Sequence, residues 1–233
     1  MPTWEEHKAG VQPTSGKFNY VAPNDVGLLQ PDEIRQLFPV PLSVFRLGRD
    51  FTEVERLAFD DLLSTTARRN GGNSVTSDTY IFRREELADI AEFCAEAVRS
   101  VMRYAYGATE DISVHITQAW LTHTDLGGFH HMHHHPNSLL SGVLYIKTSD
   151  GDGINFVKVA TGDASFRYKL LEQTVFNSDS ERAEATEGTL LIFPSSLWHT
   201  VYKSNTDGRI SLSFNTFMTG ALGNPEYYHE LFI

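Results

Sequence analysis

The sequence predicts a mainly β protein with N-terminal helices, an α+β chain in which two longer helices support an antiparallel sandwich or barrel. Three observations carry this. Apolar residues recur at helical spacing in two runs before Gly107, and after it short stretches alternate apolar and polar with period two. Those stretches are separated by Gly, Asp, Asn and Ser turns with no helical period between them, which points to antiparallel pairing. The chain has 233 residues, 41% hydrophobic and 21% charged, enough to bury a core of its own.

Taken in order, residues 1–30 show no periodicity and read as an arm across the fold. Residues 31–107 read as helical support, 108–218 as the barrel core and 219–233 as a C-terminal tail, all within a single domain, 1–233. Pro31 to Leu37 fits a short helix. FPVPLSVFRL (Phe38–Leu47) reads as extended, and its prolines favour a sheet edge. Thr52 and Glu55 form the T-x-x-E capping pattern of a helix through Arg69, with Val54, Leu57, Ala58, Leu62 and Leu63 as its apolar stripe and Asn70-Gly71-Gly72-Asn73 as its stop. A second helix is expected from Arg84 to Tyr106. Leu87, Ile90, Ala91, Cys94, Val98, Val101 and Met102 form its stripe, and Cys94 reads as a core thiol.

Expected strands are 112–122, Leu140–Lys147, Gly153–Val159, Phe166–Leu170, Gly188–Phe193, Trp198–Lys203 and Arg209–Met218. Between them, Ala164–Glu187 reads as an irregular loop beside the site. The aromatic tail, Ala221–Ile233, is expected to pack back onto the domain.

The bulk properties narrow the partners. A net charge of −11 with no basic patch argues against nucleic acid. No apolar run approaches the ~18 residues of a membrane span, and the charged N-terminus lacks the apolar core of a signal peptide. One cysteine allows no internal disulfide and no thiolate metal cluster, so a reducing, cytoplasmic setting is expected. The expected partner is a small molecule or a protein or peptide side chain. Oligomeric state is open, with a homodimer one option.

Chemistry concentrates in FHHMHHHPNSLLS (Phe129–Ser141), where five of the ten histidines occupy six positions. Residues two apart on a strand share a face, so His131, His133 and His135 group together, as do His130, Met132 and His134. An H-x-H pair on a strand offers two imidazoles to one metal. Downstream, GTLLIFPSSLWH (Gly188–His199) is an apolar strand, a Pro-Ser-Ser turn and a strand opening with His199. In GRISLSFN (Gly208–Asn215), Arg209, Ser211, Ser213 and Asn215 alternate with Ile210, Leu212 and Phe214. If that polar face lines a lumen, Arg209 offers a fork of donors to a carboxylate, with the Ser211 hydroxyl beside it.

H-x-H, a distal His about sixty-six positions on, and R-x-S ten positions further resemble the 2-oxoglutarate and Fe(II)-dependent oxygenases. HHHPNSLLSGVLYIK, GTLLIFPSSLWHTV and GRISLSFN resemble most closely the 2-oxoglutarate/Fe(II) oxygenase family with H-x-H-P-x-S-x-x-S-G-V-x-Y, over roughly Gln118 to Phe217. The resemblance implies a double-stranded β-helix (jelly-roll, cupin-like) barrel and an Fe(II)- and 2-oxoglutarate-dependent dioxygenase. Such an enzyme uses O2, releases succinate and CO2, and typically hydroxylates its substrate. It implies His133, His135 and His199 as metal ligands, Arg209 and Ser211 as partners of the co-substrate carboxylate, and Trp120, Thr122 and Tyr145 as pocket lining. His130, His131 and His134 are left as loop or outer-shell residues. His135 stands where the wider superfamily has a carboxylate, which removes a negative ligand from the usual two-His, one-carboxylate set. A slip of the pair to His131 and His133 stays open.

Two rival readings share these residues. Five residues separate Gly127 from His133 and Gly188 from Pro194, close to the cupin patterns G-x5-H-x-H and G-x5-P-x-G-x2-H. This permits a 2-oxoglutarate-independent cupin metalloenzyme, although Leu139 and Leu140 occupy the place of the cupin glutamate. A catalytically degenerate metal-binding barrel is the third reading.

Overall fold

The structure is a computed structural model that describes residues 32–36, 38–159, 169, 172–205 and 208–233. Strand β1 (Ser43–Arg46) lies at one end of the larger sheet, the edge position that the preceding prolines predict. Helix α1 (Glu53–Thr66) starts on the expected box: Glu55 N–H donates to Thr52 Oγ1 (3.2 Å), and Thr52 N–H donates to Glu55 Oε2 (2.7 Å). Its buried face differs from the predicted stripe. Val54 and Leu57 are 56% and 61% exposed, while Glu55, Ala58, Phe59 and Leu62 are buried. Those four positions are i, i+3, i+4 and i+7, so the bulky Phe59 and the capping glutamate set the face, not Val54 and Leu57. Arg49 makes this burial tolerable by donating to both Glu55 oxygens at 2.6 and 2.9 Å.

The helix also stops earlier than expected, at Thr66. Ala67–Asn70 (β2) turns back at Gly71-Gly72 and pairs antiparallel with Asn73–Thr76 (β3). The N-G-G-N motif is therefore a hairpin turn, with Gly71 at φ +65°, where a Cβ is disfavoured. Helix α2 spans Ala88–Tyr104 behind a short 3-10 turn. Ile90, Cys94, Ala97, Val98 and Val101 are its buried residues.

The remaining strands are β4 (Ile112–Thr124), β5 (His130–His133), β6 (Leu140–Lys147), β7 (Gly153–Val157), β8 (Ser180–Glu184), β9 (Thr189–Pro194), β10 (His199–Val201), β11 (Arg209–Leu222) and β12 (Leu231–Phe232). The larger sheet runs β1-β9-β6-β11-β4-β3-β2 with β12 on β11, and the smaller runs β5-β10-β7-β8. Every pairing between these strands is antiparallel.

Residues opposite one another in such pairs share a face, so register assigns the two sides of the larger sheet. Leu121, Leu144, Leu190, Ile192, Leu212 and Phe214 meet α1 and α2 in one core cluster. Tyr145, Leu191 and Phe193 face Ile154 and Phe156 of the smaller sheet in a second cluster. Gly142 stands where Phe214 crosses it so closely that no Cβ fits.

The chain is mainly β with two longer helices, as predicted. Two expectations fail in detail. Strands β2 and β3 come from a stretch read as helix and its stop. Ser180–Glu184, read as irregular, pairs with β7 from Val157↔Ser180 to Gly153↔Glu184. Its SERAE sequence lacks apolar alternation because the strand is almost wholly exposed. Residues 32–36 form no helical turn, while Pro31 and Leu37 of that expected helix lie outside the described residues, as does most of the expected strand Phe166–Leu170. The tail returns through β12, pairing Leu231 with Leu222, but leaves Tyr227, Tyr228 and Phe232 exposed. Among the described residues no helix is long and apolar enough to cross a membrane.

Candidate metal centre

Strands β5 and β10 are neighbours, and their register sets His133 opposite His199. His135 lies two residues past β5, where its N–H donates to the Ser195 carbonyl at 2.9 Å. One ligand nitrogen from each of His133, His135 and His199 lies within 4.8 Å of the others. The Nε2 atoms of His135 and His199 are 3.3 Å apart. His133 Nδ1 faces the His131 carbonyl at 2.8 Å and His199 Nδ1 faces the Leu197 carbonyl at 2.9 Å. A carbonyl only accepts, so both Nδ1 atoms carry the proton and both Nε2 lone pairs are free. Ligating histidines commonly donate their second nitrogen in this way.

Burial pushes His199 down to about 3 and His135 down to about 4, and it lowers His133 as well; the neighbouring imidazoles add to each effect. All three rings are therefore neutral near pH 7, the form a metal needs. Phe193 sets its edge against His199 at 5.0 Å, and Trp120 stacks on His135 at 5.8 Å.

Behind His135 lies a support that the sequence reading did not identify. The ring hydrogen-bonds the Asn215 side chain, and since its Nε2 faces His199, Nδ1 is the nitrogen left to do so. Asn215 Oδ1 also accepts from Ser141 Oγ at 3.0 Å. Ser141 and Ser195 share a hydroxyl contact of 2.8 Å, and Ser195 donates to Ser138 at 2.7 Å. The two serines of PNSLLS, the first serine after Pro194 and the asparagine of GRISLSFN thus form one chain of hydrogen bonds. Its signal was the period-two polar face that places Asn215 with Arg209.

Register places the expected co-substrate residues on one face. Thr124 lies opposite Arg209, Thr122 and Tyr145 flank Ser211, and Trp120 lies opposite Ser213. Arg209 is only 4% exposed. Its Nη2 donates to Thr124 Oγ1 at 3.4 Å, and its buried Nε has no hydrogen-bond partner among the described residues. Burial lowers the Arg209 pKa, and the same burial raises that of the Tyr145 phenol. Arg209 also lines a polar cavity of about 150 Å³ with Asp152, Arg182, Val201 and Lys203. A buried guanidinium with a spare donor suits a carboxylate.

The simple alternation expected of the histidines breaks down. Val201 opposes His130 while His199 opposes His133, so the four residues of β5 span three of β10. This bulge brings His130 onto His133, with ring centroids 4.2 Å apart, although the two were expected on opposite faces. His134 turns away and packs on Trp198 at 4.7 Å. Among the described residues no carboxylate joins the His133, His135 and His199 group.

Two antiparallel sheets closing over a three-imidazole group define a double-stranded β-helix. The fold is similar to a 2OG-Fe(II) oxygenase family oxidoreductase from Burkholderia pseudomallei, at TM-score 0.52 and 12% identity over 75% of this chain and 83% of that one. It is also similar to the non-heme alpha-ketoglutarate-dependent epimerase SnoN of nogalamycin biosynthesis, at TM-score 0.56 and 11% identity over 78% and 81%. No curated protein matches the chain by sequence. Residues 118–215 match the family described as "Putative 2OG-Fe(II) oxygenase". That segment holds the residues of the site, and over it the chain is similar to this family.

Proposed function

We propose that His133, His135 and His199 hold Fe(II), and that Arg209 and Ser211 hold the far carboxylate of 2-oxoglutarate. The reaction would consume O2, release succinate and CO2, and hydroxylate a small molecule or a protein side chain. The observation that carries this is the convergence of three neutral imidazoles, their second nitrogens tied back, within a barrel whose polar face presents a buried arginine with a spare donor. The metal would supply the oxygen activation. The residues supply geometry: Trp120 fixes the plane of His135, Thr122 and Tyr145 wall the pocket beside Ser211, and Phe193 and Phe156 keep water from His199. Three neutral ligands leave more positive charge on the ion than a set with a carboxylate. That strengthens its hold on an anionic co-substrate.

The chain is read as one functional domain, 1–233, in a cytoplasmic, reducing setting. The cupin reading is not favoured, because it leaves Arg209 and Ser211 without a role, and Leu140, at the place of the cupin glutamate, is buried in the apolar core.

Equilibrium dialysis followed by calorimetric titration tests the proposal. The native protein should take up one divalent ion per chain and then bind 2-oxoglutarate. His199→Ala should lose tight metal binding, and Arg209→Ala should keep the metal but lose 2-oxoglutarate. Metal uptake without any 2-oxoglutarate binding would overturn the assignment.

A further inference from the structure

The β5 bulge leaves a second group of imidazoles beside the first. Ligand nitrogens of His130, His131 and His133 also lie within 4.8 Å of one another. The ring centroids of His130 are 5.0 Å from His131 and 4.2 Å from His133, and those of His131 and His133 are 5.2 Å apart. Tetrahedral coordination by imidazole needs nitrogens about 3.4 Å apart, within reach of small ring rotations. The backbone under the group is pinned. Thr200 Oγ1 donates to the His130 carbonyl at 2.7 Å, and His133 Nδ1 donates to that of His131 at 2.8 Å. His131 is exposed and His130 and His133 are half-buried, whereas His199 of the inner group is 3% exposed. The outer group therefore meets solvent before the inner one does.

We propose that His130, His131 and His133 form a second, solvent-facing metal locus that takes a divalent first-row ion such as Zn2+, Ni2+ or Co2+ and loads the inner group. Imidazole ligands suit these ions. His133 has one free nitrogen and belongs to both groups, so the two loci compete and a chain holds one ion at full strength. Transfer exchanges His130 and His131 for His135 and His199 while His133 stays bound: two metal–nitrogen bonds break, two form, and no electron moves. The loading role rests on the inner assignment made above; the outer locus does not.

The test is a Co2+ and Zn2+ titration with stopped-flow loading, following Co2+ by its visible absorption. Circular dichroism controls for folding. The native protein, His130→Ala/His131→Ala, His199→Ala and the combined triple variant are compared. The double variant should still bind one ion with affinity near native but load it about tenfold more slowly. His199→Ala should retain a weaker ion, and the triple variant should bind none. His131→Gln, at the exposed position, should repeat the slow loading if the double variant is unstable. Unchanged loading in these variants, or a triple variant that binds as His199→Ala does, overturns the outer locus. If His199→Ala binds as the native protein does, the inner assignment fails instead.

Discussion

Asn215→Ala should weaken metal binding without touching a ligand. The substitution removes the side chain that hydrogen-bonds the His135 ring and leaves Ser141 Oγ without its 3.0 Å acceptor. His135 then keeps only ring contacts, with Trp120, His133 and His199, to orient it. Loss of such an outer partner costs about 10- to 100-fold in metal affinity, which is roughly 1.4 to 2.7 kcal/mol. Ser141→Ala leaves Asn215 in place and removes one bond further out, so it should cost less, about 0.5–1.5 kcal/mol. Competition between each variant and a chromophoric chelator for Zn2+ near neutral pH measures both. Thermal melts of the metal-free proteins separate a site effect from a folding effect. Asn215→Ala within twofold of native affinity, or a larger loss from Ser141→Ala than from Asn215→Ala, would refute the support assigned to this chain of hydrogen bonds.

Arg209→Leu should raise the dissociation constant for 2-oxoglutarate by at least about thirtyfold, or 2 kcal/mol, with metal content unchanged; Arg209→Lys should fall between, because a point charge replaces the fork. Gly142→Ala should destabilise the fold by about 1–3 kcal/mol and lower the melting temperature, since its Cβ enters the space of the Phe214 ring. Burial alone would raise the Glu55 pKa, but the Arg49 and Thr52 hydrogen bonds outweigh it, and the folded value lies below the ordinary 4.5. A depressed carboxylate stabilises above its unfolded pKa and loses that contribution as pH falls through the folded value. Glu55→Gln should therefore cost about 1–3 kcal/mol in denaturant melts near pH 7, and the difference from native should shrink below about pH 4.

Most of the fold was legible because its local signals agree with its packing. Thr52 and Glu55 announce α1, the Leu87 to Val101 stripe announces α2, period-two alternation marks β4 and β11, and short apolar runs between turn residues mark β6 and β9. The misreadings share a cause. Gly71-Gly72 after a run of helix formers looks like a helix stop, and only pairing with Asn73–Thr76 makes it a hairpin. SERAE pairs through its backbone while its side chains stay in water, so no apolar pattern betrays it. At the site, the family resemblance named His133, His135, His199 and Arg209, and the structure brings the three histidines together and aligns Arg209 with Thr124. The bulge that moves His130 onto His133 depends on the partner strand, and so does the serine chain behind Asn215. Neither could be read from one strand alone.

The central claim is that one ion and one 2-oxoglutarate meet between the three histidines and Arg209. Anaerobic addition of Fe(II) and then 2-oxoglutarate, followed by visible absorption, tests it most directly. A metal-to-ligand charge-transfer band should appear in the native protein, saturate at one equivalent of each, and vanish in His199→Ala. No band in the native protein, or an undiminished band in His199→Ala, would contradict the site.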